Sequence, residues 1–272
     1  MRIEFTKMHG AGNDFVLLDR PDVEERQLSP LARRICDRHF GVGADGILVV
    51  SESVVADVRM RIFNADGSEA QMCGNGIRCV GKYIYEKGII TSTCPTVETL
   101  DGVKKLTLHL DCRGRVDTVT VDMGTASLTC SQGSFTTDTP MGRLRVIPVS
   151  TGNPHGIVPV QNVDMIDIAT TGPSLENNPF WPDRANIEFV MVDGPSAITQ
   201  RTWERGVGET LACGTGACAA AFALVSEAKV HCPVTVRLSG GILVIDIDKA
   251  TGHIMMTGEA AKVFSSAIDI QF

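Results

Sequence analysis

Short alternating stretches dominate the chain. In residues 57–63 (DVRMRIF), Val58, Met60 and Ile62 fall on one side, which predicts a half-buried strand. The same alternation runs through 104–110, 115–122 and 233–238, while 44–50 and 242–247 are apolar runs suited to more buried strands. Residues 187–192 (IEFVMV) and 253–258 (HIMMTG) also read as extended. Helical patterns are few. Ser29-Pro30 followed by LARRICDRHF predicts a helix with Ser29 as its cap, Pro30 as its first residue and Gly41 as its stop. Ile77, Val80, Ile84 and Tyr85 carry helical spacing through 74–87, with Gly88 in the position of a C-terminal cap. Residues 214–228 are alanine-rich and almost wholly apolar, which predicts a helix buried on every side. Sheets that each enclose one helix satisfy this pattern.

A long-range repeat organises these elements. Cys213 follows Cys73 by 140 residues, and at that offset RIFNADGSEAQMCGNG (61–76) aligns with RTWERGVGETLACGTG (201–216). Arg61 meets Arg201, Glu69 meets Glu209, Cys73 meets Cys213, Gly74 meets Gly214 and Gly76 meets Gly216, with aromatic Phe63 against Trp203. Each block runs strand, glycine-containing turn, C-G-x-G, helix. The chain therefore reads as two homologous halves. The expected architecture is an α+β (α/β) fold of two pseudo-symmetric domains, each a mostly antiparallel sheet or barrel around a central helix, with a cleft between them. The expected boundaries are 1–117, with 259–272 returning to that half, and 118–258.

Composition narrows the function classes. The chain has 272 residues, enough for a core without covalent staples. With 43% hydrophobic and 21% charged residues it is a globular rather than a disordered composition. A net charge of −7 argues against a nucleic-acid partner. The N-terminus has no apolar targeting core, and runs such as Ala219–Val225 are far short of a membrane span, so a cytoplasmic location and no membrane partner are expected. Nine cysteines, an odd number, cannot all pair within one chain and are expected as thiols.

C-G-x-G at a helix start carries chemistry. The first amides of a helix lack intrahelical acceptors, and that end of the helix is electropositive. A cysteine there is expected to ionise more easily, and a carboxylate can dock on the amides where glycines leave room. Two such sites suggest opposed thiols acting on one small anion. One thiolate would take the proton beside a carboxylate and the other thiol would return one to the opposite face, inverting a stereocentre. No metal or cofactor motif is present in the sequence, and none is expected.

Plainer readings stand beside these. Cys36, Cys79, Cys94, Cys112, Cys130, Cys218 and Cys232 are expected to be packing thiols. Cys73 and Cys213 could form a disulfide under oxidation, as an inactive form. The stretch HGAGNDF (9–15) could be only a tight turn, His155 only a turn histidine, and Glu204 with Arg205 only a solvated surface pair.

Across essentially its whole length the sequence resembles the diaminopimelate epimerase family. The resemblance rests on FTKMHGAGNDFVLLD, RHFGVGADGILVV, RIFNADGSEAQMCGNGIRC, TGNPH, RANIEFV and WERGVGETLACGTGACA, in that order. It implies a pyridoxal-phosphate-independent epimerisation of LL-2,6-diaminopimelate to the meso form by two thiols. Cys73 and Cys213 match the acid–base pair. Gly74 and Asn75, with Gly214 and Thr215, match donors to the reacting carboxylate. Asn13, Asn64, Asn153, Asn186 and Arg205 match residues that hold the far end of the substrate. Glu204 matches a position that binds an ammonium group and polarises a thiol, and His155 matches an analogous support near the other cysteine. The resemblance also implies a possible homodimer. Gly46 and Gly156 depart from the common pattern, glutamine and cysteine being frequent there.

Three rivals are weighed against it. A proline or hydroxyproline racemase would show CGHG where Asn75 stands, and an aspartate stretch where Glu204 and Arg205 stand. The isomerase branch of the same fold lacks the cysteine pair. A non-catalytic redox or amino-acid-binding module would use the cysteines only as a switch or as pocket lining.

Overall fold

A computed structural model describes residues 1–270 and builds them mainly from strands. One unit comprises Met1–Val121 together with the stretch from Gly258 onward; the other comprises Asp122–Thr257. In chain order the first unit holds β1 (Arg2–Gly10), β2 (Asn13–Asp19), α1 (Glu25–Cys36), β3 (Gly46–Ser51), β4 (Val58–Asn64), β5 (Glu69–Ala70), α2 (Gly74–Glu86), β6 (Thr96–Thr99), β7 (Gly102–Leu110) and β8 (Val116–Thr125), which ends in the second unit. The second unit continues with β9 (Ser127–Leu128), β10 (Phe135–Thr139), β11 (Gly142–Ser150), β12 (Pro154–Pro159), α3 (Ile168–Glu176), β13 (Asn186–Gly194), β14 (Ala197–Glu204), β15 (Gly208–Thr210), α4 (Gly214–Ser226), β16 (Val234–Leu238), β17 (Gly241–Ile247) and β18 (His253–Glu259). β19 (Ala261–Asp269) then pairs antiparallel with β1.

Most neighbouring strands are antiparallel, and four parallel pairs each have a helix to explain them. β2–β3 and β4–β6 are parallel in the first unit, with α1 and α2 as their crossovers. β12–β13 and β14–β16 are parallel in the second, crossed by α3 and α4. A parallel neighbour cannot be reached by a tight turn, so a crossover helix is required. β2 and β3 are covered on both faces, which is why FVLL and ILVV are continuous rather than alternating. Val16, Leu18, Ile47 and Val49 meet Leu28, Leu31 and Ile35 of α1 on one face. On the other, Leu48 and Phe15 approach Gly76 of α2. Both α2 and α4 are buried along nearly their whole length.

The repeat extends to strand register. Phe15 lies opposite Gly46, as His155 does opposite Asn186. Ile47 pairs with Phe63 and Ile187 with Trp203. Each pairing recurs 140 residues on. Arg61–Glu69 at 2.6 Å and Arg201–Glu209 at 2.8 Å are the same cross-strand ion pair, made twice. Such pairs contribute about 0–1 kcal/mol and serve mainly to fix register.

Several expectations are corrected. The first helix starts at Glu25, capped by a reciprocal Glu24–Gln27 box, so Ser29 is not its cap and Pro30 lies inside it. The Ser29 hydroxyl instead donates to the Gly67 carbonyl at 2.7 Å, tying the helix to the β4–β5 turn. The helix stops at Cys36, before Gly41, because Asp37 accepts the His39 and Phe40 amides, both at 2.7 Å. α3 has no counterpart in the sequence reading: Thr, Gly and Pro are poor helix formers, and an Asp167 cap starts it. The packing reading of cysteine holds for Cys36, Cys79 and Cys218, but Cys94 and Cys112 are exposed and Cys130 and Cys232 half-buried. Cys112 sits in a polar turn beside Asp111, whose carboxylate accepts the Arg113 and Arg115 amides. All nine cysteines are free thiols.

Gly88 closes α2 with φ +70°, as the sequence predicts. α4 ends at Ser226 rather than 228, and the residue matching Gly88 is Ala228, held at φ +55°. The left-handed region costs a residue with a Cβ roughly 1–2 kcal/mol. Ala228→Gly should therefore raise stability, less the entropy glycine adds to the unfolded chain, by a net gain on the order of 0.5–1 kcal/mol. Urea unfolding measures it, and an unchanged or lower midpoint would count against the strain.

Candidate active site

Both C-G-x-G cysteines open a helix. Cys73 precedes α2 with φ −142° and ψ 119°, and Cys213 precedes α4 with φ −118° and ψ 112°. Each is extended backbone at a helix cap, where the side chain folds back over the first turn. The Gly76 amide donates to Cys73 Sγ at 3.5 Å, and the Gly216 amide to Cys213 Sγ at 3.4 Å. The amides of Gly74 and Asn75, and of Gly214 and Thr215, occupy the helix positions that intrahelical carbonyls cannot reach. The last glycine of each motif serves packing: a Cβ on Gly76 would lie 2.9 Å from Leu48 Cδ2, and one on Gly216 would overlap the Glu188 carboxylate.

In the first unit the polar groups converge on Asn13. HGAGNDF is indeed a tight turn, Ala11 and Gly12 having φ of 51° and 81°. It joins β1 to β2 and presents Asn13 at the start of β2. Cys73 Sγ lies 3.6 Å from Asn13 Oδ1, and Asn75 Nδ2 donates to the same oxygen at 3.3 Å. Asn13 Nδ2 in turn donates to Asp45 at 2.8 Å. Asp45 also takes the Arg38 guanidinium at 2.8 Å, and Arg38 bridges to Asp14 at 3.1 Å. Burial raises the Asp14 carboxyl, but Lys7 and Arg38 outweigh it and hold Asp14 below the usual carboxylate range. Beneath them Arg78 is fully buried and donates to the Gly74 carbonyl at 3.0 Å and to Asn75 Oδ1 at 2.9 Å. Asn64 is exposed and donates to Ser68 at 2.9 Å.

In the second unit Cys213 is buried, with the Thr215 hydroxyl 3.5 Å from its sulfur. Glu204 accepts the Thr210 hydroxyl at 2.7 Å. Burial raises the Cys213 thiol well above its ordinary range, and the Glu204 and Glu188 carboxylates raise it further; Thr215 and the Gly216 amide only partly offset this. The expectation that a helix start lowers both thiols is thus corrected at Cys213, where desolvation and two carboxylates outweigh the helix end.

His155 is no turn residue. It lies in β12, fully buried, with Nδ1 2.9 Å from Glu188 Oε1 and Nε2 3.0 Å from Asn153 Oδ1. Asn186 ties two segments together, accepting the Arg205 amide at 3.0 Å and donating to the Pro154 carbonyl at 3.2 Å. The Arg205 side chain is exposed and donates to the Asp183 carbonyl at 3.0 Å. Gly46 is imposed by packing, since a Cβ there would lie 2.6 Å from the Phe63 carbonyl. Gly156 is similarly confined, a Cβ there lying 3.0 Å from Trp181 and Ile187.

The structure thus groups Asn13, Cys73 and Asn75 in one unit. In the other it groups Cys213, Thr215 and Glu204, and links Asn153, His155 and Asn186 through β12 and β13. Sequence reasoning missed Arg78 and Glu188, both fully buried. The repeat could have exposed them: at the 140-residue offset Arg78 meets Cys218, and Glu188 meets Leu48.

Comparison with known proteins adds the family. The family described as diaminopimelate epimerase matches residues 5–129 and 147–263. A diaminopimelate epimerase of Desulfovibrio desulfuricans is 46% identical, the match covering 97% of this chain and 97% of that protein. One from Acetivibrio thermocellus is 42% identical, covering 98% and 99%. Among solved structures, a phenazine biosynthesis protein of the PhzF family from Bacillus anthracis superposes with a TM-score of 0.76 at 20% identity, covering 99% of this chain and 100% of that one. A hydroxyproline epimerase from Agrobacterium vitis gives 0.74 at 16% identity, covering 98% and 92%. At those identities the likeness is one of fold.

Proposed function

The chain belongs to the diaminopimelate epimerase family, and from that premise we propose that Cys73 and Cys213 are the acid–base pair of an isomerase interconverting LL-2,6-diaminopimelate and the meso form. The observation that carries the residue assignment is the duplicated helix cap, each sulfur held by the amide of the third helical residue. Inversion at a carbon needs a base on one face and an acid on the other. One thiolate removes the α-proton and becomes a thiol; the opposing thiol delivers a proton and becomes a thiolate. Charge developing on the substrate carboxylate is met by helix-start amides, donors that need no reorganisation. This chemistry draws on the protein's own thiols and needs no pyridoxal ring as an electron sink.

The remaining polar groups select the substrate. Asn13, Asn64, Asn153 and Asn186 offer amides to a distal amino acid group. Arg205 matches a distal carboxylate through a bidentate fork. Glu204 carries an ammonium partner and, with His155, supports the protonation state of the thiols. Reduced protein should convert LL-diaminopimelate to the meso form and leave proline unchanged. Racemisation of proline instead would favour the proline-type reading, and tight binding without turnover of either would favour a binding module.

A further inference from the structure

The two helix caps share one backbone but have different floors. Beneath Gly76 of α2 lie Leu48 and Phe15, and deeper in the same turn the fully buried Arg78. The matching positions beneath Gly216 of α4 are Glu188 and His155, and the Arg78 position is Cys218. Glu188 is fully buried. Its Oε1 lies 2.9 Å from His155 Nδ1, its Oε2 has no hydrogen-bond partner among the described residues, and the carboxylate fills the space a Cβ on Gly216 would need. A buried charge left half engaged is costly, and an apolar residue fits the same place in the other half, so packing does not explain it.

Resting on the two-thiol reading, we propose that Glu188 is a positioning residue that keeps Cys213 as the protonated partner of the pair and fixes the His155 ring, so that free enzyme carries its proton on Cys213. The carboxylate sits against the turn whose amide holds the sulfur, offsetting the positive helix end there. The charged and titratable groups facing Cys213 are Glu204 from β14, Glu188 from β13 and, behind it, His155 from β12. On the other strands packed against α4, the charged residues Arg143, Arg145, Arg237 and Asp246 are exposed. The first unit offers the opposite setting, with a guanidinium under the helix start. Burial acts on Cys213 in the same direction as Glu188.

The test is the pH dependence of alkylation at each cysteine, read by peptide mass analysis in wild type and Glu188→Gln. Glutamine keeps the size of the side chain and an acceptor for His155, so only the charge is lost. Cys213 should alkylate about tenfold faster at pH 7 in Glu188→Gln, with Cys73 unchanged, and the alkaline limb of kcat/KM should move to lower pH. Glu188→Asp should restore the wild-type alkylation profile. Should Glu188→Gln not fold, Glu188→Leu combined with His155→Phe copies the floor of the first unit and carries the same readout. Unchanged Cys213 alkylation in a folded, charge-removed variant would overturn the proposal while wild-type epimerisation stood. Absence of epimerisation in wild type would instead overturn the reading on which it rests.

Discussion

Cys73→Ser and Cys213→Ser each lose epimerisation by a factor of about 10³ or more in kcat, while the fold survives. The two halves of that result come from different physics. A serine hydroxyl is too weak an acid to stand in for a thiol at neutral pH, and removing a positioned acid or base costs about 10²–10⁴. At the helix start, however, serine is a favoured cap, and it replaces a sulfur that accepts the Gly76 or Gly216 amide at 3.5 or 3.4 Å. Thermal midpoints should therefore stay level or rise. Thermal unfolding and steady-state epimerisation on the same preparations check both halves. Substantial activity in either variant would refute the assignment of both thiols. A collapse of the midpoint would show that the cap sulfurs are needed for the fold itself.

The second large effect lies at Arg205. Its guanidinium is exposed and anchored by the Asp183 carbonyl at 3.0 Å, while its backbone is fixed through Asn186. That arrangement leaves the charged fork available to an incoming carboxylate. Hydrogen bonds to charged groups contribute about 1.5–3 kcal/mol each, so losing a bidentate pair should cost on the order of 10²–10³ in kcat/KM. Arg205→Met is expected to show this mainly in KM. An analogue lacking the distal carboxylate should be turned over equally poorly by both proteins. Lysine should rescue only in part, because a point charge cannot reproduce the fork. Equal losses for the analogue and for diaminopimelate in Arg205→Met would rule out the distal contact.

The parts of the fold legible in the sequence were those with a strong local cause. Gly88 and the two C-G-x-G runs mark helix ends because few other residues tolerate those backbones or approaches. The repeat was visible through them, and strand register follows it to the residue. What was hidden depended on tertiary contacts. Pro30 has the pattern of a helix start, and nothing local reveals that Glu24 and Gln27 cap each other. α3 was invisible because its residues have weak helix propensity and its stability comes from packing, as with Leu175 against Trp181. Glu188 sat inside the apolar run IEFVMV, where a single charge reads as a solvent-facing position. It is buried because His155 and the start of α4 lie over it. The environment of Cys213 is hidden for the same reason. Motif logic supplied the favourable helix end, but burial and two carboxylates come from strands distant in sequence.

If two thiols act on opposite faces of one carbon, the isotope content of the two isomer pools reveals it. Reduced enzyme is given LL-diaminopimelate in deuterium oxide, and the early reaction is stopped and separated by isomer. With two bases, the proton leaves to one thiol and a deuteron arrives from the other. Newly formed meso product should then carry deuterium at its α-carbon while unreacted LL substrate does not. Product formed with the original hydrogen retained, or deuterium entering both pools equally from the start, would indicate a single base and contradict it.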